Sequence, residues 1–204
     1  MIRACLLATL MLTLFAAGEP EKESPYQVPT PKGWAEETIA LPPDFAPDMK
    51  WKGTEELRFA PGMFKADTPE FLSYALFFWL PDDADIDAKA MERELLAYYR
   101  GLAAAVLKGK KQEVDTKAFT LSITAAKQQP DKRPGGETVA GHVGELKWTE
   151  PFATGKPQSL RLEIHSWPSA KHKHIFVFVC ASPQPETASV WKTLREIREG
   201  CTCR

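Results

Sequence analysis

Apolar residues follow three different periods along this chain. Ile175-Phe176-Val177-Phe178-Val179-Cys180 is apolar without a break, and Leu72 to Leu80, Leu-Ser-Tyr-Ala-Leu-Phe-Phe-Trp-Leu, is nearly so. Neither offers a polar side to water and both are short, so they predict strands covered on both faces. Elsewhere the period is two. Phe119, Leu121, Ile123 and Ala125 alternate with Thr120, Ser122 and Thr124, and Leu160, Leu162 and Ile164 alternate with Arg161, Glu163 and His165. These predict strands with one covered face. Glu37 to Leu41 is a short strand candidate stopped by Pro42-Pro43, and Thr54 to Phe59 is another, ended by Pro61-Gly62. Glu137 to Trp148 reads as a long strand, with Gly141 and Gly144 as places for a bulge.

The third period is helical. Ile86, Met91, Leu95, Tyr98, Tyr99, Leu102 and Val106 form one stripe over 85–107. Asp82, Asp83 and Asp85 open it and Lys108, Lys110 and Lys111 come after it, which suits the helix dipole. Val190, Trp191, Leu194 and Ile197 mark a second helix over 184–199, with Ser182 as N-cap and Gly200 as C-terminal cap. Phe45, Met49 and Trp51 lie in irregular sequence and read as cover for the core. The Tyr98-Tyr99 pair reads as core and boundary packing, with a ligand platform as the alternative.

The order is strands, long helix, four strands, helix. Short connections make neighbouring strands antiparallel. The fold class is therefore α+β: a mainly antiparallel sheet of about six strands, with the long helix (85–107) and the C-terminal helix (184–199) packed on it. Over Trp34 to Gly200 this element order resembles the α/β/α sandwich of PsbP-like and Mog1-like proteins, many of them exported accessory factors. The resemblance is one of layout, and no functional residue is carried over by it.

The N-terminus adds an address. Arg3 precedes an apolar run from Cys5 to Ala17, broken only by Thr9 and Thr13, and Ala16-Ala17-Gly18 offers small residues for cleavage. This is the pattern of a secretory signal peptide, 1–18, too short for a membrane span. Residues 19–32 carry Pro20, Pro25, Pro29 and Pro31 among charged residues and read as an extended linker. Residues 33–204 form one α+β domain. Cleavage places the protein in a periplasmic or extracellular compartment with no membrane span. The partner class this implies is another envelope or extracellular protein. A net charge of −1, with Lys and Arg scattered, gives no electrostatic footprint for nucleic acid.

Candidate chemistry is sparse. The chain has no Gly-rich phosphate loop, Gly-x-Ser-x-Gly elbow, His-Glu-x-x-His or Cys-x-x-Cys motif. Glu163 and His165 share a strand face, but with Arg161 they read as a solvated or helix-covered polar row rather than a general base. His142, beside Gly141, reads as structural. The constellation that stands out is His172, His174, Cys201 and Cys203. A last helix as long as the strand before it brings the chain end back to the start of that strand. Thiolate and imidazole together suit zinc or copper. Loss of Cys5 leaves Cys180, Cys201 and Cys203, an odd number, so a free thiol, an intermolecular bridge or a metal ligand is required.

The leading functional reading is a secreted or periplasmic non-catalytic binding or accessory domain. Its alternatives are a zinc- or copper-binding protein using the His-x-His and Cys-x-Cys cluster, and a hydrolase with an unfamiliar site. The address is checked by intact-mass measurement on protein secreted from a suitable host. The expected species starts at Glu19, and a chain retaining Met1 to Gly18 refutes the export reading.

Overall fold

The computed structural model describes residues 24–130, 132–133, 136–169 and 171–204. The expected signal peptide and residues 19–23 lie outside the described residues. Seven strands form one antiparallel sheet: β2 (Ala35–Leu41), β3 (Gly53–Phe59), β4 (Tyr74–Pro81), β5 (Thr120–Ala125), β6 (Ala140–Thr149), β7 (Pro157–Pro168) and β8 (His174–Ser182). Their spatial order is β2-β3-β4-β8-β7-β6-β5. Helix α1 (Ala88–Gly109) comes after β4 and α2 (Ser189–Glu199) after β8. A two-residue ribbon, β1 (Tyr26–Gln27) with β9 (Thr202–Cys203), ties the first described residues to the chain end.

The two uninterrupted apolar strands are neighbours at the middle of the sheet. In β4–β8, Phe77 pairs with Phe178 and Leu76 with Val179. Alternate residues then serve different cores. Leu76, Phe78, Leu80, Val177 and Val179 pack beneath α1, together with Met91, Leu95 and Tyr99. Phe77, Trp79, Phe176, Phe178 and Cys180 pack beneath α2, together with Val190, Trp191, Leu194 and Ile197. A strand two-sided in its apolar residues needs a layer on each side, and the helices supply them.

Element ends depart from the sequence expectation where polar side chains act as caps. Helix α1 starts three residues late because Asp87 is the N-cap, its Oδ1 accepting from Ala90 N at 2.8 Å. Ser182 is no helix cap. It ends β8, shares a hydrogen bond with Ser73 Oγ at 2.7 Å, and accepts from Gln184 N. Helix α2 therefore begins at Ser189, with Ala188 at its N-cap position and no side-chain cap. Strand β6 has no bulge: Ala140 to Thr149 pairs residue for residue with β7. Gly141 and Gly144 instead permit close approach, since a Cβ at Gly141 would stand 2.6 Å from Pro130 Cδ. Within the stretch read as a linker, Tyr26 and Val28 are buried in the α2-side core. The linker's C-terminal part is thus packed rather than extended in solvent.

Phe178 has no exposed surface and contacts the Phe77 ring, with centroids 6.3 Å apart. Phe178→Ala is expected to cost roughly 3–5 kcal/mol, the range for deleting a buried aromatic ring. Chemical denaturation of the purified variant measures it; a loss under about 0.5 kcal/mol, typical of surface sites, refutes this position in the core.

Candidate functional site

The chain end does return to the start of β8. Cys203 Sγ lies 3.4 Å from Ser169 Oγ, and that hydroxyl accepts from His172 N at 3.1 Å. The His172 ring nitrogen Nε2 is 3.3 Å from Arg204 O. Helix α2 alone is too short for this return, and β9 completes it. The four candidate ligands nevertheless have separate employments. His174 stacks on Trp79 at 4.4 Å, and His172 meets the same ring edge-on. Cys201 is buried in the α2-side core, and burial pushes its thiol up to about 12 despite the nearby Arg133 charge. Only Cys203 is partly exposed among the three free cysteines described. Among the described residues no three His, Cys, Asp or Glu side chains are grouped to hold a metal ion.

The polar row on β7 is covered by α2. Arg195 holds Glu163 with two hydrogen bonds, 3.0 and 2.6 Å, and Arg198 stands 3.6 Å away. Burial pushes the Glu163 carboxyl up, but these arginines with Arg161 outweigh it and hold it below the usual carboxylate range. Burial, with Arg198 beside it, pushes His165 down to about 4, so it is neutral at pH 7. Burial also lowers His142. Arg133 lies over the Trp167 ring at 4.2 Å and donates to the carbonyls of Arg198, Glu199 and Cys201 at the end of α2. These charges fasten a helix to a sheet. They leave no paired nucleophile and base.

A cleft opens on the other face. Its volume is about 410 Å3, and its wall is almost wholly carbon. The floor is Ile39 on β2 with Leu57 and Phe59 on β3; Tyr98 and Leu102 of α1 form one side. Three loops close the rest with Phe45, Met63, Phe64 and Phe152. Each loop is held in place. Gly101 of α1 lets the Phe45 loop approach, since a Cβ there would stand 2.0 Å from Phe45 O. Thr68 Oγ1 donates to Gly62 O at 2.9 Å and Leu72 N to Met63 O at 3.0 Å, which folds the Phe64 loop. The buried Glu150 carboxylate accepts from the backbone N–H groups of Phe152, Ala153 and Thr154, and Lys110 Nζ donates to the carbonyls of Pro151 and Phe152. Phe64 is 54% exposed, the one large apolar side chain left so among the described residues, and its ring meets Phe152 at 5.4 Å.

Glu55 lies directly behind the cleft, on the same face of β3 as Leu57 and Phe59 and across from Ile39. It is fully buried, and neither carboxyl oxygen makes a hydrogen bond of good geometry. Burial pushes its pKa up to about 8; the Tyr98 hydroxyl, the polar group near enough to favour the ionised form, pulls it back, and Glu37 adds to the rise. Two other buried acids, Glu94 and Glu150, and the half-buried Glu163 all have donors. Sequence reasoning missed Glu55 because Glu55-Glu56 gives no sign of which acid faces inward, although its spacing of two from Leu57 and four from Phe59 carries that signal. Phe64 and Phe152 lie in loops, where no periodicity marks them. Of the tyrosine pair, Tyr99 is core, accepting from Tyr74 Oη at 2.9 Å, whereas Tyr98 lines the cleft.

No protein-family model matches the chain, and no curated protein matches it.

Glu55 gives the fold a pH dependence. A carboxyl raised from 4.5 to about 8 binds its proton more tightly in the folded chain. The stability this supplies is fully present below about pH 4.5, shrinks as the pH climbs, and is gone past about pH 8. At about 1.4 kcal/mol per tenfold change in proton affinity, the loss is several kcal/mol. The groups facing it, Glu37, Tyr74, Tyr98 and Tyr99, supply no cation to offset the charge. Glu55→Gln is therefore expected to match the parent near pH 4.5 and exceed it in stability at pH 8.5. Denaturant midpoints at both values measure this; a difference that does not grow with pH refutes it.

Proposed function

We propose that this protein is an exported, non-catalytic binding domain that holds an apolar part of another component of the cell envelope or exterior. The observation that carries this reading is the cleft: aromatic walls on rigid loops, a single exposed phenylalanine at the rim, and few polar groups. Binding sites are concave, mostly apolar and largely preformed, and the exposed Phe64 ring continues the aromatic lining to the rim through Phe152. The secretory pattern at the N-terminus supports the address, and the layered layout that resembles PsbP-like and Mog1-like proteins supports an accessory role. The β7 row favours no hydrolase, since its carboxylate is engaged by two arginines and its imidazole faces no nucleophile.

N-phenyl-1-naphthylamine, a neutral apolar fluorophore, tests the cleft directly. Titration is expected to give saturable, one-site fluorescence enhancement. Phe64→Ser, at an exposed position, is expected to weaken it about tenfold, the scale of one aromatic contact. Leu102→Trp fills the cleft from α1 and is expected to abolish it with the fold intact by circular dichroism. Absence of saturable binding, or binding indifferent to both changes, refutes this site.

A further inference from the structure

The lining of the cleft specifies more than an apolar guest. Its only charged side chain is Glu37, exposed at the mouth on edge strand β2, and no Lys, Arg or His lines the wall. Six aromatic rings surround the space: Phe45, Phe59, Phe64, Phe152, Tyr74 and Tyr98. Several meet edge to face, Phe45 with Tyr98 at 5.1 Å and Phe64 with Phe152 at 5.4 Å, so their planes differ and ring faces point in several directions. The Tyr74 hydroxyl is committed inward, donating to Tyr99, and Tyr98 adjoins the fully buried Glu55 carboxyl, whose oxygens make no hydrogen bond of good geometry.

These features select a head group by elimination. An anion meets no cation and two carboxyl groups, one beside the opening and one behind the wall. A primary ammonium is strongly hydrated and needs three acceptors, which a wall lined almost wholly by carbon does not offer. A neutral guest leaves the Glu37 charge unused. A quaternary ammonium fits each feature: it needs no hydrogen-bond acceptor, its methyl groups pack on ring faces, and its charge is attracted by those faces and by a carboxylate. The volume of about 410 Å3 exceeds a bare head group, and Ile39, Leu57, Met63 and Leu102 line space for an apolar body.

We infer that the cleft binds a single-chain amphiphile bearing a quaternary ammonium head, with the head among the aromatic rings beside Glu37 and the apolar body along Ile39, Leu57, Met63 and Leu102. This rests on the binding reading proposed above and assigns its ligand class.

Calorimetric titration of the mature protein with octyltrimethylammonium, octylammonium, 1-octanol and octyl sulfate, each below its aggregation concentration, tests the assignment. Octyltrimethylammonium is expected to bind about tenfold more tightly than 1-octanol, the scale of a cation over desolvated aromatic faces. Octylammonium is expected to fall between them and octyl sulfate below them. Glu37→Gln is expected to weaken octyltrimethylammonium by about two- to fivefold, the scale of an exposed charge pair, and leave 1-octanol unchanged. Phe64→Ala is expected to weaken octyltrimethylammonium more than 1-octanol. Equal affinity for the ammonium and 1-octanol, preference for octyl sulfate or octylammonium, or a preference unchanged by both substitutions overturns the ligand class and leaves the cleft as an apolar site. Failure of all four compounds to bind overturns the cleft itself.

Discussion

The pairing of β4 with β8 is the constraint on which the rest of the domain depends. Phe77 against Phe178 and Leu76 against Val179 put large apolar side chains on both sides of two adjacent strands. Neither side can face water without exposing a row of rings, and each buried Val, Leu or Phe is worth roughly 1.5–3 kcal/mol. Two covering layers are the result. The chain provides α1 for one and α2 for the other. The α2 layer is widened by Tyr26 and Val28 at one end of the described chain and by Cys201 near the other. The short ribbon of β1 and β9 is a consequence of that cover: two segments pressed on the same patch of sheet complete each other's backbone hydrogen bonds.

The cleft has its origin in a mismatch of widths. Seven strands about 4.8 Å apart span nearly 30 Å, whereas one helix with its side chains covers about 10 Å. The backbone of helix α1 lies nearest β5 and β6, and its Glu92 carboxylate accepts from Ile123 N at the β5 edge. That position leaves the β2–β3 end of the same face to loops. Loops carry too few side chains to fill the space to the density of a core, and they hold aromatic residues over a gap instead. Gly101, Glu150 and Lys110 are the devices that keep the gap from collapsing, by letting one loop come close and by tying another down.

The acids taken wholly or partly out of water show the same division between structure and site. Glu94 accepts from Lys50 N, Trp51 N and Arg93, fastening the segment before β3 to α1. Glu150 shapes a loop and Glu163 anchors α2. Each has donors to its carboxyl oxygens, which is the usual condition for taking an acid out of water. Glu55 lacks such donors and is the one of the four that adjoins the cleft. A buried acid kept protonated by its surroundings is a local cost, and it falls where the sheet is least covered by regular structure.

Periodicity, with Pro and Gly as stops, determined the seven sheet strands and the two long helices, though not β1 and β9. The two unbroken apolar runs marked the central strands, alternation marked β5 and β7, and the helical stripe of Met91, Leu95, Tyr98 and Tyr99 marked α1, because period and burial are properties of the local backbone. Composition and chain order were enough for the α+β class. The sequence also indicated that the tail returns to His172, by a helix as long as its strand; α2 is shorter than that, and β9 completes the return. It did not reveal that His174 would be stacked on Trp79, or that Cys201 would be sealed in the core, because both depend on the other elements that meet at the same place. Ser182 read as a cap and proved a strand end for the same reason: its partner, Ser73, is 109 residues away. The cleft was the least legible feature. Its floor comes from β2 and β3, its side from α1 and its rim from three loops, and only packing a sheet wider than its helix brings those residues around one space.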